Sequence, residues 1–505
     1  MDCRKIISNI YGELGTFKRV KPSLYRSQSG RVHLLGLGQV GGKAGGTIYL
    51  DKMSLDMGYR TPGHSLVVCN DYFGLPPQPV KTPVKINQIA FAKVERLVDI
   101  INELGFTLPI AVRSSSPLED QIGSTAAGVF STQFCHRPQK NEASIIEFGQ
   151  RILAVVNSNY TDKAKNYYRI KGYSDIPPIS LIIQEVIGNE WSYAPSYYFP
   201  LVSGIINTAT EGIIKIVAFA GLGIGAVDGD GLGYVYSYDK TDFSKYSDQR
   251  IAHHQLWYFD VNKGDVAPIS RERDSIKNRE LMDRFYEGLT EMIGGHPLQL
   301  IMLAARHEKN LGLPVDIEWA LDKEMVPTLL QIRPLKAKMY NLQTPIVEGD
   351  KLLFSSEDVL GQGKIAFKYV IHVLGQFIDL GERLELLHAK YPDSLIVIED
   401  AVCDGFDDIM LESVLPHGKA FAVVESFPNH PNRSGIDHFC LNCADLDVVL
   451  MYAKNLSMLD SLTAEAKLIE SINKHDWEKI KIYEMNSTVH MAVDDENALG
   501  MIYKE

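Results

Sequence analysis

A segment between Asp316 and Pro334 constrains the fold most, because charged side chains recur at alternate positions within two apolar runs. It reads DIEWALDKEMVPTLLQIRP and predicts two strands joined by a turn. Side chains two apart in a strand share a face, so Asp316 and Glu318 project together, as do Gln331 and Arg333. Two carboxylates, an amide oxygen and an arginine suit Mg²⁺ with a nucleotide phosphate. The alternative is a solvated cross-strand salt bridge.

A glycine-rich segment near the start, GLGQVGGKAGG over Gly36–Gly46, is the second candidate site. Glycines let backbone amides approach an anion closely, and the N-terminus of a following helix favours negative charge. Lys43 would place a positive charge on a phosphate. No Ser or Thr follows the lysine, so this is not a Walker loop. A structural turn before a helix is the alternative.

The third candidate is AVRSSSPLEDQIGSTAAGVFST over Ala111–Thr132. A short apolar strand places Arg113 at the start of a run of small hydroxyl and glycine residues. Such a loop offers many donors and little bulk, which suits a polyphosphate. The arginine can hold phosphate oxygens with its planar fork of donors. A flexible surface turn is the alternative.

Composition narrows the class of protein. At 505 residues the chain is too long for one ordinary domain, so several are expected. The net charge is −12 and no basic run is present, which argues against nucleic acid or an anionic membrane as a partner. No run of about 18 apolar residues predicts a spanning helix. The N-terminus lacks the apolar stretch of a signal peptide, and six scattered cysteines favour a reducing cytoplasm.

The order of the three motifs resembles one family, the ATP-binding N-terminal domain of phosphoenolpyruvate synthase and pyruvate phosphate dikinase. Rifampin phosphotransferase shares that domain. Intermediate segments are also similar to the family's pattern: GYRTPGHSLVV (58–68), SLIIQEV (180–186), VSGI (202–205) and GLG (221–223). The resemblance covers about residues 25–335.

The resemblance implies an α+β protein with an ATP-grasp domain of two subdomains, over 1–180 and 181–340, that uses ATP and Mg²⁺. It also implies residue roles. Lys43 and Arg113 contact ATP phosphates, and Ser124, Thr125 and Gly128 belong to a loop that covers these phosphates. Gln184, Glu185 and Ile187 hold the adenine side. Glu318 and Gln331 bind Mg²⁺ with Asp316 beside them, and Arg333 stabilises charge on the transferred phosphoryl group.

Two departures from the family pattern concern the nucleotide site. The loop reads STAAGVFST where the family has S-F-A-G-Q-Q-x-T, so its aromatic and glutamines are missing. Ile224 replaces the glutamate of the family's G-L-G-E segment. The second change puts one nucleotide or metal contact in doubt.

The carboxyl third comes after a polar, proline-containing linker over 336–351. Resemblance to the family's swivelling phosphohistidine domain predicts a small α/β domain over 341–455. We expect a helical tail over 456–505, with helix up to about Ile482 and a short strand (TVHMAV) near its end. His438, in PNRSGIDHFCLNC, lies where the phosphate-carrying histidine would be, and His430 is the second candidate. The alternative is a histidine at a helix N-terminus packed against Asp437. Cys440 and Cys443 are too few for a structural zinc site.

These features predict an ATP-dependent phosphotransferase of the dikinase type, which passes phosphate through His438 to an unidentified acceptor. Only 67 residues lie beyond His438, too few for a pyruvate-binding barrel of about 250 residues. We therefore expect the acceptor on another chain or in a cleft of these domains. One alternative is a catalytically impaired ATP-binding regulatory or partner subunit. Another is a kinase that transfers directly from ATP.

Overall fold

The computed structural model divides into two compact units, Met1–Tyr340 and Asn341–Glu505, here called the N-terminal and the C-terminal unit. The structure describes the residues 17–79, 88–119, 129–191, 194–209, 212–224, 232–252, 255–270, 298–322, 326–335, 351–356, 359–360, 362–374, 380–399, 418–424, 449–453, 456–475, 478–494 and 499–505.

The described part of the N-terminal unit contains strands β1–β19 and helices α1–α5. The strands are β1 (Lys18–Lys21), β2 (Leu24–Arg26), β3 (Val32–Leu35), β4 (Ser65–Val68), β5 (Gln78–Pro79), β6 (Ile110–Ser115), β7 (Thr132–Cys135), β8 (Asp175–Ile176), β9 (Ser180–Glu185), β10 (Asn189–Trp191), β11 (Ala194–Phe199), β12 (Val202–Asn207), β13 (Ile213–Ala220), β14 (Leu232–Asp239), β15 (Tyr246–Ala252), β16 (Gln255–Asp260), β17 (Asp265–Ser270), β18 (Val315–Leu321) and β19 (Pro327–Pro334). The helices are α1 (Gly42–Met57), α2 (Phe91–Glu103), α3 (Glu142–Ser158), α4 (Asp162–Ile170) and α5 (Leu298–Leu311).

Two large sheets frame this unit. A seven-stranded sheet has the order β1-β2-β3-β4-β9-β6-β7, and a six-stranded sheet has the order β15-β14-β13-β12-β18-β19. The six-stranded sheet is antiparallel throughout, whereas β3 and β4 run parallel in the other. Four further strands pair as β10-β11-β16-β17, and β5 pairs with β8. The mixture of helices and sheets agrees with the α+β class predicted from the sequence.

Helix α1 packs into a hydrophobic core that both large sheets share. Ala44 and Ile48 of this helix belong to one buried cluster with Val67 and Ile182 of the seven-stranded sheet and Trp319 of the six-stranded sheet. Few positions of α1 face solvent, so it lacks a polar stripe. Helix α2, in contrast, buries one face, because apolar residues recur at helical spacing over Ile89–Leu104.

The end of α1 is joined to β19 by backbone hydrogen bonds. The Arg60 amide donates to the Pro327 carbonyl oxygen at 3.3 Å, and the Leu329 amide donates to the Arg60 carbonyl oxygen at 2.9 Å. Helix α5 packs nearby, where the His307 ring lies 5.5 Å from the rings of both Tyr49 and Tyr59. From the sequence we expect a helix over about Arg279–Leu311. The structure confirms it from Leu298 onward, and the earlier part lies outside the described residues.

The C-terminal unit is built on a nine-stranded sheet. Its elements are β20 (Leu352–Ser356), β21 (Val359–Leu360), β22 (Gln362–Leu374), α6 (Leu380–Lys390), β23 (Ser394–Glu399), β24 (Ala420–Val424), β25 (Val449–Ala453), α7 (Ser457–Ala464), β26 (Ala466–His475), β27 (Glu478–Asp494) and β28 (Leu499–Lys504). The order is β20-β28-β27-β22-β23-β24-β25-β21, with β26 on β27. Strands β22 to β25 are mutually parallel.

In the tail over 456–505, the helix predicted up to about Ile482 is wrong beyond Ala464, whereas the strand predicted at TVHMAV is confirmed as part of β27. Helix α7 is short, and strands β26, β27 and β28 occupy most of the chain after it. Ile480 and Ile482 are buried whereas their neighbours are less so, which is the two-residue period of a strand. Strand β27 pairs along its length with β22, and this tertiary pairing outweighs local helical preference. Among the described residues, no helix is long and apolar enough to cross a membrane.

Candidate functional site

The centre of the candidate site is Arg113 on β6, whose guanidinium reaches from the seven-stranded sheet to the six-stranded sheet. Its Nη2 donates to Glu318 Oε2 at 2.9 Å and to Gln331 Oε1 at 2.6 Å. Its Nη1 donates to Gln184 Oε1 on β9 at 3.4 Å. Strand β6 therefore delivers this arginine where both sheets meet, and three sequence-distant candidates converge on it.

The strand pair that carries the carboxylates was predicted from the sequence, and the structure adds its register. Asp316 lies opposite Arg333, and Glu318 lies opposite Gln331, across β18 and β19. Arg333 Nη2 contacts Asp316 Oδ2 at 2.5 Å, and the aspartate is only 5% exposed. The cross-strand salt bridge considered as the alternative is therefore present, but it is buried and not solvated. It lies next to the Glu318–Gln331 pair, to which Arg113 donates.

Burial and charge act differently on the two carboxyl groups. Burial raises the pKa of Asp316, although the positive charge of Arg333 opposes that shift. Burial would also raise the pKa of Glu318, but the positive charges of Arg113 and Lys43 outweigh it and hold the pKa below its usual value. Glu318 is therefore a stable anion at neutral pH, as a metal ligand must be.

Lys43 enters this site from the first turn of α1. The loop before the helix packs directly against β6, because a Cβ atom at Gly41 would lie 2.1 Å from the Ser115 carbonyl oxygen. The Ala44 amide donates to Ser115 Oγ at 3.0 Å, which fixes the start of the helix beside the Arg113 strand. Glycine at position 41 is thus required by close backbone approach.

Sequence reasoning missed Glu119, the partner of Lys43. Lys43 Nζ donates to Glu119 Oε1 at 2.8 Å, and the Glu119 side chain is 2% exposed. Ser114 Oγ and the Ser116 amide also donate to this carboxylate. The one available signal was its place six residues after Arg113, in a loop otherwise rich in hydroxyl groups.

The residues predicted for the adenine side lie on or just after β9. Gln184 donates through Nε2 to Ser65 Oγ at 3.2 Å and contacts Arg113. Glu185 points to the other face of the strand, where its carboxylate accepts from the Thr107 amide at 2.8 Å. Ile187 comes just after the strand and is half-buried. The structure thus brings Gln184 into the charged site, whereas the Glu185 side chain lies apart from it.

Several predicted residues lie outside the described residues: Ser124, Thr125, Gly128, His430, His438, Cys440 and Cys443. Their roles stay predictions. Ile224, which replaces a glutamate of the family pattern, is described, and it packs against the hydrophobic core of the N-terminal unit.

The donor set fits a hard divalent cation. Glu318 Oε2 and Gln331 Oε1 both lie within 3 Å of one Arg113 nitrogen, so these two oxygens are close together. Mg²⁺ is commonly held by one or two protein oxygens together with water and substrate phosphates. No group of three or more His, Cys, Asp or Glu side chains among the described residues is arranged to hold a metal. Two protein oxygens, Glu318 Oε2 and Gln331 Oε1, would leave the other coordination positions of such a cation to water and phosphate.

Comparison with known proteins identifies the family to which this chain belongs. Residues 82–351 match the family described as pyruvate phosphate dikinase, AMP/ATP-binding domain. The match spans more than half of the chain and includes Arg113, Gln184, Glu318 and Gln331. The chain belongs to this family, as its motifs predicted.

Two curated relatives are similar over about half of the chain. Rifampicin phosphotransferase of Bacillus subtilis (strain 168) is 26% identical over 250 residues, which are 48% of this chain and 25% of the relative. Probable phosphoenolpyruvate synthase of Methanocaldococcus jannaschii is 24% identical over 229 residues, which are 45% of this chain and 17% of the relative. The similarity therefore spans a quarter or less of either relative's length.

A solved structure of the macrocyclase MdnC, bound with precursor peptide MdnA from Microcystis aeruginosa MRC, also matches. The two sequences are 12% identical, and the match covers 59% of this chain and 55% of the MdnC chain, with a TM-score of 0.21. That score is too low to relate the two folds.

Proposed function

We propose that this chain is an ATP-dependent phosphotransferase of the dikinase type, with an ATP-grasp nucleotide site in its N-terminal unit. One observation carries the proposal: Arg113 reaches across from β6 to Glu318 and Gln331 on the strand pair β18–β19. Membership of an AMP/ATP-binding family supports the same ligand. Phosphoryl transfer needs positioning, a cation and neutralisation of developing charge, and these residues can supply each.

We propose the following roles for the predicted site residues. Lys43 and Arg113 bind phosphate oxygens, and Arg333 neutralises charge on the transferred group. Glu318 and Gln331 would hold Mg²⁺, which would neutralise charge on the phosphates when bound. Asp316 holds Arg333 in place through the 2.5 Å contact. Gln184, the backbone at Glu185 and Ile187 form the adenine side, and Ser124, Thr125 and Gly128 cover the phosphates.

The three cations of the site each have an acidic partner. Lys43 pairs with Glu119, Arg113 with Glu318 and Arg333 with Asp316. Incoming phosphate therefore competes with Glu318 for the Arg113 nitrogen. A cation on Glu318 and Gln331 would weaken their hold on Arg113, so the nucleotide is expected to bind more tightly as its Mg²⁺ complex than alone.

In the proposed reaction an imidazole nitrogen of His438 attacks the β-phosphorus of ATP, the bond from that phosphorus to the α-phosphate oxygen breaks, and AMP leaves. Hydrolysis of the resulting pyrophosphohistidine then releases phosphate and leaves a phosphohistidine. By family resemblance the products of the complete cycle include AMP and phosphate. The C-terminal unit would serve as the swivelling carrier of this histidine, and an unidentified acceptor would receive the phosphoryl group. A cytoplasmic location also stays a prediction.

The test uses the full chain with Mg²⁺ and ATP labelled at the β or γ phosphate. We expect acid-labile label on the protein, release of AMP and loss of both in His438→Ala. His430→Ala is the matched variant and is expected to keep the label. Label that survives His438→Ala but not His430→Ala would transfer the role to His430.

A second candidate function is an ATP-binding regulatory or partner subunit with impaired transfer. Ile224 favours it, because an apolar side chain packed on the core cannot supply the carboxylate of the family pattern. ATP binding without turnover would support this function. ADP as the sole nucleotide product, unaffected by either histidine variant, would instead indicate direct transfer from ATP.

A further inference from the structure

We propose that Glu119 is a positioning residue, which holds the Lys43 ammonium group where it meets a nucleotide phosphate. The inference rests on the proposed function, because it concerns the same site. It assigns a role to a carboxylate that neither the motifs nor the family resemblance singled out.

Three hydrogen bonds hold the Glu119 carboxylate in one position. Oε1 accepts from Lys43 Nζ at 2.8 Å and from Ser114 Oγ at 2.8 Å, while Oε2 accepts from the Ser116 amide at 2.5 Å. The two serines flank Ser115, the last residue of β6, so the carboxylate is tied to the end of that strand. The Glu119 side chain is 2% exposed, and a buried carboxylate needs such partners to remain in place.

Lys43 needs an anchor because of its chemistry. A lysine ammonium is a point charge on a flexible four-carbon stem, and ordering such a side chain opposes binding. Glu119 accepts one of its three N–H groups, which leaves the other two able to donate to a phosphate. Glu119 Oε1 also accepts from Ser114 Oγ, so the ammonium group is held beside the residue that follows Arg113 on β6. Holding it there before ATP arrives reduces the entropy lost on binding.

The position of Glu119 also couples two loops. Lys43 belongs to the glycine-rich loop and helix α1, whereas Glu119 lies just beyond the Arg-Ser-Ser segment of β6. Their ion pair, together with the Ala44–Ser115 hydrogen bond, sets the spacing between Lys43 and Arg113. Two cations at a set spacing can act on different oxygens of one polyphosphate.

The test is a double-mutant cycle on ATP affinity, measured by calorimetry with Glu119→Gln, Lys43→Met and both together. Glu119→Gln keeps the size of the side chain and removes its charge. In the presence of Lys43 we expect it to lower ATP affinity about tenfold, or about 1.4 kcal/mol. In the Lys43→Met background we expect a loss of less than about twofold. An equal loss in both backgrounds would overturn the proposal, because Glu119 would then act on the fold and not through Lys43.

Asp51→Asn is the matched control. Asp51 lies on the same helix as Lys43, is 2% exposed and accepts a hydrogen bond from Ser29 Oγ. The control should leave ATP affinity unchanged if loss of a buried carboxylate is not itself the cause. Unfolding midpoints of all variants, followed by circular dichroism, establish that each is folded.

A second readout does not depend on nucleotide. Competitive acetylation of the native protein, read by mass spectrometry, measures the reactivity of each lysine. Release of Lys43 from Glu119 should make it react roughly fivefold faster in Glu119→Gln, since a charged hydrogen bond is lost. An unchanged rate would overturn the proposal. Wild-type protein that binds no ATP would contradict the proposed function, and the Lys43 rates would still decide whether Glu119 holds the lysine.

Discussion

The candidate site of the N-terminal unit differs from the C-terminal unit in how its ion pairs are exposed. In the N-terminal unit, three pairs gather at the candidate site with their cations mostly removed from solvent: Lys43–Glu119, Arg113–Glu318 and Arg333–Asp316. In the C-terminal unit, the pairs Lys368–Glu484 and Lys390–Glu470 have lysines that are each 58% exposed. Its buried exception among the described residues is His372–Glu399, which is an ion pair only when the histidine is protonated.

This difference indicates what the buried pairs are for. Removing charges from water is costly, and a buried ion pair is often no more stabilising than apolar residues of the same volume. Three pairs with largely buried cations at one candidate site are therefore poorly explained by stability alone. Exposed pairs such as those of the C-terminal unit contribute little and are common on protein surfaces. The contrast favours a ligand-binding role for the charges of the N-terminal unit.

The largest expected effect is that of Arg113→Ala on nucleotide binding. Loss of two charge-assisted hydrogen bonds to phosphate should weaken ATP binding by about 4 kcal/mol, or roughly a thousandfold. Calorimetric titration with Mg-ATP measures this. Lys390→Ala, which breaks an exposed pair of the C-terminal unit, is the control and should leave the affinity unchanged. A similar effect of both variants would remove the contrast between the two units.

The next effect is on stability. Asp316→Asn should lower the free energy of unfolding by about 3 kcal/mol, because it leaves the Arg333 charge buried without its anion. Urea unfolding followed by tryptophan fluorescence measures it, since three of the four tryptophans lie in the N-terminal unit. The double variant Asp316→Asn/Arg333→Met should be more stable than Asp316→Asn alone. Glu470→Gln, in an exposed pair, should not change the unfolding curve measurably.

The smallest of the three effects concerns pH and the core beside α1. Burial lowers the pKa of His307 from 6.5 to about 4, so the folded protein keeps this ring neutral. Stability from the neutral ring is complete above pH 6.5 and is lost as the pH falls towards 4. We expect the free energy of unfolding to drop by about 2 kcal/mol between pH 6.5 and 4.5 on this account. His307→Gln should show a shallower pH dependence over that range, and an unchanged slope would contradict the assignment.

The sequence predicted the local part of the site well. Alternating charges within apolar runs predicted β18 and β19, and their register pairs Asp316 with Arg333 and Glu318 with Gln331. This succeeded because two-residue periodicity is a local property of a strand, and the hairpin joins neighbouring segments.

Contacts between residues far apart in the sequence were harder to predict. The Lys43–Glu119 pair joins residues 76 positions apart, and nothing in either loop alone specifies the other. The predicted helical tail failed for a related reason. The alternation around Ile480 and Ile482 is short, and it becomes decisive only because β22 supplies a partner along the whole of β27.

The hydrogen bonds of Arg60 to β19 have a consequence for self-association. Strand β19 is the last strand of the six-stranded sheet, and an open strand edge is a template on which another chain can add. Arg60 occupies the amide of Leu329 and the carbonyl of Pro327 on that edge. The strand that carries Gln331 and Arg333 is thereby partly shielded from edge-to-edge aggregation by the same chain segment that ends helix α1.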